Sequence, residues 1–239
     1  MYDVKTSEKI ITYTYKFVFN NGNEIEYVMN LEPDTLRLLR TTGSESPSWT
    51  ELKNFKCPHC PLNPDVHKYC PVALNLEDII NFFSDIPSYE SVKVIVSTEE
   101  REYHKETSVQ VGVGSIIGII MPTSGCPIMG KLKPLVRYHL PFASIDETEF
   151  RVFSMYLLAQ YLQMRKGKNP DWTLESLKQL YADIQKLNVN VAQKIADLEA
   201  RDASINAVVV LNNFADSVSF CLDEDDLSDF EFLFKDFLG

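Results

Sequence analysis

Cys57-Pro-His-Cys60-Pro-Leu-Asn-Pro-Asp-Val-His67-Lys-Tyr-Cys70-Pro71 gathers three of the chain's five cysteines and two of its four histidines into one short stretch. The spacing is Cys-x2-Cys-x9-Cys, with His67 three residues before Cys70. A Cys-x-x-Cys pair presents two thiolates to one ion across a tight turn. A loop then returns a third ligand, and a distant residue closes the tetrahedron. Cys126, in Thr-Ser-Gly-Cys126-Pro127, supplies a suitable fourth. The expected ligand set is Cys57, Cys60, Cys70 and Cys126, with His67 or His59 able to replace one thiolate. Such a site ties the strand-rich start of the chain to residue 126.

Proline follows four of the cysteines, as Pro58, Pro61, Pro71 and Pro127. The residue before proline favours extended dihedrals, so these cysteines are expected on stiff loops and not inside helices. Structural zinc is the expected cofactor. An iron–sulfur cluster is the alternative, since Cys-Pro also occurs at cluster ligands. A thiol redox switch at Cys57 and Cys60 is a further alternative. Cys221, in Val-Ser-Phe-Cys-Leu, is expected to be a buried helix cysteine.

The segments CPHCPLNPDVHKYCPVALNLEDII, TSGCP, LKPLVRYHLPFAS and SMYLLAQYL resemble a family of uncharacterised bacterial proteins of about this length. The resemblance covers nearly the whole chain and is most specific in its cysteine segments. It implies a bacterial protein carrying these cysteines, and brings no activity or substrate.

The chain has 239 residues, 45% of them hydrophobic, enough for a sizeable core. Its formal net charge of −11 argues against a general nucleic-acid binder. The N-terminus lacks an apolar signal-like run, and cysteines are few and odd in number, so a cytoplasmic setting is expected.

Periodicity places an α+β fold: a mainly antiparallel sheet of two hairpins with the Cys-rich loop over 1–108, then a helical bundle over 109–239. Residues 10–31 alternate Ile11, Tyr13, Tyr15, Phe17 and Phe19, then Ile25, Tyr27, Met29 and Leu31, around Asn20-Asn-Gly-Asn23. An odd loop puts both apolar sets on one face, pairing Phe19 with Ile25 and Phe17 with Tyr27. A helix is expected over 76–86 with Asn75 as its cap, and strands over 91–98 and 102–108. Residues 109–121 are apolar but too short to span a bilayer, which takes ~20 residues. Gly112 and Gly114 lack the third glycine of a dinucleotide loop. That run is expected to be a buried helix leading to Cys126, and no membrane span is expected.

Lys131, Lys133, Arg137 and His139 form a basic island in an acidic chain. Arg137 and His139, with His59, are candidates for groups around the metal or for a ligand site; pairing with Asp146, Glu147 and Glu149 is the plainer expectation. Ser144-Ile-Asp-Glu147 is a capping box. The apolar helix after it is expected at the centre of the bundle. A helix over 173–201 carries a stripe containing Asn188, used inside the bundle or as a homodimer seam. A buried helix over 204–222 and a last helix after an acidic link complete the chain.

No catalytic set stands out. Cys126 as nucleophile with His139 as base is an enzymatic alternative, and three ligands with an open position would make a reactive metal centre. The leading expectation is a metal-binding protein with structural zinc and a binding or regulatory role exerted through a protein partner.

Overall fold

A computed structural model describes residues 9–40, 46–198, 202–224 and 227–239. Parts of the loop expected over 43–48, of the acidic link and of the helix expected to reach 201 lie outside the described residues.

β1 (Ile11–Phe19) and β2 (Glu24–Leu31) form one hairpin, and β3 (Ser91–Ser97) and β4 (Glu102–Ser108) another. They make a four-stranded sheet in the order β2-β1-β3-β4, antiparallel throughout. Between the hairpins lie the short α1 (Leu52–Phe55) and α2 (Pro71–Phe82). After the sheet come α3 (Val109–Thr123), α4 (Lys133–Arg137), α5 (Ile145–Arg165), α6 (Glu175–Ala196) and α7 (Asp202–Glu224). Two single turns, α8 (Ser228–Glu231) and α9 (Lys235–Leu238), end the chain. The fold is α+β, as the periodicity implies.

The first hairpin keeps the expected faces but not the expected partners. Phe17 pairs with Ile25 and Tyr15 with Tyr27. The amide of Gly22 donates to the Phe19 carbonyl (3.0 Å), and that of Phe19 to the Asn23 carbonyl (2.9 Å). The loop is therefore Asn20-Asn21-Gly22, with Gly22 at φ 86°, a left-handed position natural to glycine. This shift preserves parity, so Tyr13, Tyr15, Phe17 and Phe19 still share the buried face.

α3 lies between that face and the helices. A Cβ on Gly112 would stand 2.5 Å from the Phe17 ring, so glycine here sets the distance between helix and sheet. On its other side α3 packs against α7, which pairs with α6. Side chains of the sheet, α2, α3, α6 and α7 share one hydrophobic core.

Several expectations need correction. α2 begins at Pro71, not at residue 76, and Asn75 lies inside it, donating to the Pro71 carbonyl (2.7 Å). Proline at the first helical position has φ already set and needs no N–H partner there. α5 is not central: only Val152, Phe153, Tyr156 and Gln160 are buried, and Leu158 is 59% exposed. Apolar residues all round a helix do not reveal which faces are covered. Phe230 and Phe234 of the C-terminal segment cover Phe150, at ring distances of 6.0 and 6.3 Å. α7 buries one face, while Val209 and Phe220 are exposed. By length and composition alone it could cross a membrane, a test that a packed core helix also passes. Cys221 on α7 is only partly buried.

α6 is continuous through Asn188. Its stripe of Leu177, Leu180, Tyr181, Ile184, Leu187, Asn188, Val191 and Ile195 is buried within the chain, which covers the surface considered for a homodimer seam.

Candidate metal centre and adjoining cavity

The cysteine loop is closed at its base. Glu51 bridges Tyr69, the Leu52 amide donates to the Lys68 carbonyl (2.9 Å), and the Cys70 amide to the Thr50 carbonyl (2.9 Å). The Cys60 amide donates to the Cys57 carbonyl (3.0 Å), which makes the tight Cys-x-x-Cys turn. Cys70 is the N-cap residue of α2, where the nearby amides of Val72 and Ala73 favour its thiolate form. Cys126 follows α3 through Gly125 at φ 99°. The amides of Ile128 and Met129 lie so as to favour its thiolate form.

These pieces converge. Cys57, Cys60, Cys70 and Cys126 line one cavity of about 10 Å³, with Leu187 and Val191 of α6 behind them. That volume holds about one water-sized guest. Burial raises the Cys57 thiol to about 12, with the negative potentials of Cys70, Cys60 and Cys126 adding to it. Burial raises Cys70 to about 11 and also raises Cys126, against the opposing effect of the nearby amides. Asn190 donates to the Cys57 sulfur (3.4 Å). Cys57, Cys60, Cys70 and Cys126 form no disulfide. Among the described residues no three Cys, His, Asp or Glu side chains already stand as a ligand group. The four sulfurs thus share a cavity without being drawn onto a common centre.

The histidines divide. His67 is exposed on the loop and does not line this cavity. His59 is half-buried, and both its ring nitrogens are buried without a partner among the described residues. A neutral imidazole carries one donor and one acceptor, so this ring leaves two needs unmet.

The basic island disperses. Arg137 is exposed and lies over the Tyr138 ring (5.9 Å), and Lys133 donates to the Thr35 carbonyl (2.7 Å). Among the described residues neither pairs with Asp146, Glu147 or Glu149; Glu147 caps α5 instead. His139 stands apart from the cysteines, in a second cavity of about 330 Å³ bounded by α3, α6, α7 and the 129–143 segment. Its Nε2 is 2.7 Å from the Tyr15 hydroxyl and 3.2 Å from the Ser115 hydroxyl, which are 2.7 Å from each other. The ring borders the cavity, yet the surrounding protein desolvates it enough to lower its pKa to about 3, with Arg151 adding repulsion. It is a neutral imidazole at physiological pH. Its polar contacts are Tyr15 and Ser115, not Cys126.

The two cavities are neighbours in the chain. Met129 lines the larger and Ile128 the smaller. On α6, Ile184 and Asn188 face the larger, and Leu187 and Val191 the smaller. Sequence reasoning missed Tyr15, Ser115, Arg151, Tyr181 and Asn190. The available signal was a polar group inside an apolar period, as at Ser115 in α3 and at Asn188, which did stand out.

No curated protein and no solved structure matched the chain. The family model described as a domain of unknown function (DUF6901) matches residues 12–235, and the chain belongs to that family.

Proposed function

We propose that the chain is a metal-stapled binding protein, in which Cys57, Cys60, Cys70 and Cys126 hold one structural zinc ion. The observation that carries this reading is the convergence of four cysteines, from two distant segments, on one cavity of atomic size. Four thiolates complete a tetrahedron and leave no open position, so the role is structural. Zinc reverses the burial penalty by deprotonating the thiols it binds. The nearby amides of Val72, Ala73, Ile128 and Met129, which already favour the ionised form, would then face thiolates. The space favours a single ion over a cluster.

The ion would join the cysteine loop and the start of α2 to the turn after α3, steadying the wall between the two cavities. Binding or regulation through a partner would be exerted from that braced frame, in a reducing cytoplasm where the thiols stay available.

Zinc titration of metal-free protein tests this. The expected result is one ion bound per chain, with protons released as neutral thiols become ligands. Cys57→Ser should lower zinc affinity and lower Tm. A Cys57→Ser protein with unchanged zinc affinity and Tm would overturn the assignment.

A further inference from the structure

The larger cavity carries an inference beyond the metal site. Its volume of about 330 Å³ lies in the range of small-molecule sites, ~300–1,000 Å³. Its walls are aliphatic, including Ile117, Met121, Leu132, Leu135, Ile184 and Leu211. The charged residues along it are of one sign. Arg151 and the exposed Lys105 line it, and among the described residues no Asp or Glu does. The chain as a whole has 34 acidic and 23 basic residues, so the bias runs against composition.

Two buried polar side chains on α6 also face this space. Tyr181 is 4% exposed and Asn188 is 3% exposed, and both line the cavity two turns apart on one face. Neither the hydroxyl nor the amide has a hydrogen-bond partner among the described residues. Their polar ends open onto the cavity and are not sealed from it, so a ligand that enters meets a hydroxyl and an amide that the protein leaves available. Arg151 donates to the carbonyls of Leu135 (2.8 Å) and Tyr138 (2.9 Å), which fixes its guanidinium without neutralising it. Glu147, one turn back on α5, attracts it only from a distance while capping Ser144.

We propose that this cavity binds an aliphatic carboxylate of medium chain length. The head group sits near Arg151, Tyr181 and Asn188, and the tail lies against Ile117, Met121 and Leu211. A carboxylate supplies the acceptors that a hydroxyl and an amide N–H require, and the negative charge that Arg151 lacks. An alcohol of equal length fills the same volume without the charge. An amine brings the repelled sign. The proposal concerns other residues than the zinc reading and stands or falls apart from it.

Calorimetric titration of the full chain with octanoate, octanol and octylamine at fixed ionic strength is the test. Octanoate should bind saturably, one per chain, at least ~10-fold more tightly than octanol, and octylamine should not saturate, because only the carboxylate answers the buried charge. Tyr181→Phe and Asn188→Leu should each weaken octanoate at least ~5-fold with circular dichroism unchanged, as one head-group hydrogen bond is removed. Arg151→Met should abolish the preference for octanoate over octanol. If that variant does not fold, the two α6 variants decide. Equal binding of octanoate and octanol, no saturable binding of octanoate, or unchanged affinity in both α6 variants would overturn the proposal.

Discussion

His139 shows how one buried group makes stability depend on pH. Its pKa is about 3 in the fold and ~6.5 in an unfolded chain. Between these values the unfolded state binds the extra proton, so stability falls as pH drops from about 6.5 toward 3. The slope for one such group is at most ~1.4 kcal/mol per pH unit. His139→Gln should flatten that part of the stability curve, as measured by urea unfolding between pH 7 and 4. Asp171 adds a loss at lower pH. Tyr156 donates to its Oδ2 (2.7 Å), and the Ser176 amide donates to the same oxygen (2.7 Å). These bonds hold its carboxyl well below the usual range. Their contribution is present above the unfolded value near 4 and is lost as pH falls below it; Asp171→Asn should remove that acid limb.

At the scale of elements, α3 depends on its approach to β1. Gly112 meets a Phe17 ring that is fully buried and packed edge-on against Phe83 at 5.0 Å. That ring has no room to yield, so Gly112→Ala should cost ~1–3 kcal/mol, the usual range for overpacking. Equilibrium unfolding measures this, and an unchanged midpoint would contradict the account. Elements were largely legible in the sequence because their signals are local. Alternation gave both hairpins, and Ser144 with Glu147 gave the start of α5. The start of α2 was misplaced because Asn75 imitates a cap, whereas Pro71 at the first helical position is what begins the helix. The hairpin register was missed because residue parity fixes the faces but not the loop length. That length depends on Gly22 taking a left-handed conformation. The exposure of α5 was illegible because it depends on which neighbours cover it.

At the scale of the whole molecule, one cavity wall serves two sites. The turn after α3 carries Cys126 and Ile128 toward the cysteines, and Met129 toward the aliphatic cavity. The cysteine grouping was legible because thiols are scarce and their spacing is compact. The larger cavity was not, because Arg151, Tyr181 and Asn188 come together only through packing of α5 and α6. If zinc braces this wall, ligand at 100 times its Kd contributes ~2.7 kcal/mol. That is a Tm shift of ~5–11 °C for a chain of this size. Chelator should lower Tm by about that amount, and added zinc should restore it.

The most direct measurement is metal content together with the absorbance spectrum of protein purified without oxygen. The account predicts about one zinc per chain, a ratio set by one four-ligand site, and no visible band. Iron with inorganic sulfide and a broad visible band would contradict the zinc assignment. Metal-free protein with freely titrating thiols and a Tm indifferent to zinc would contradict the metal site itself.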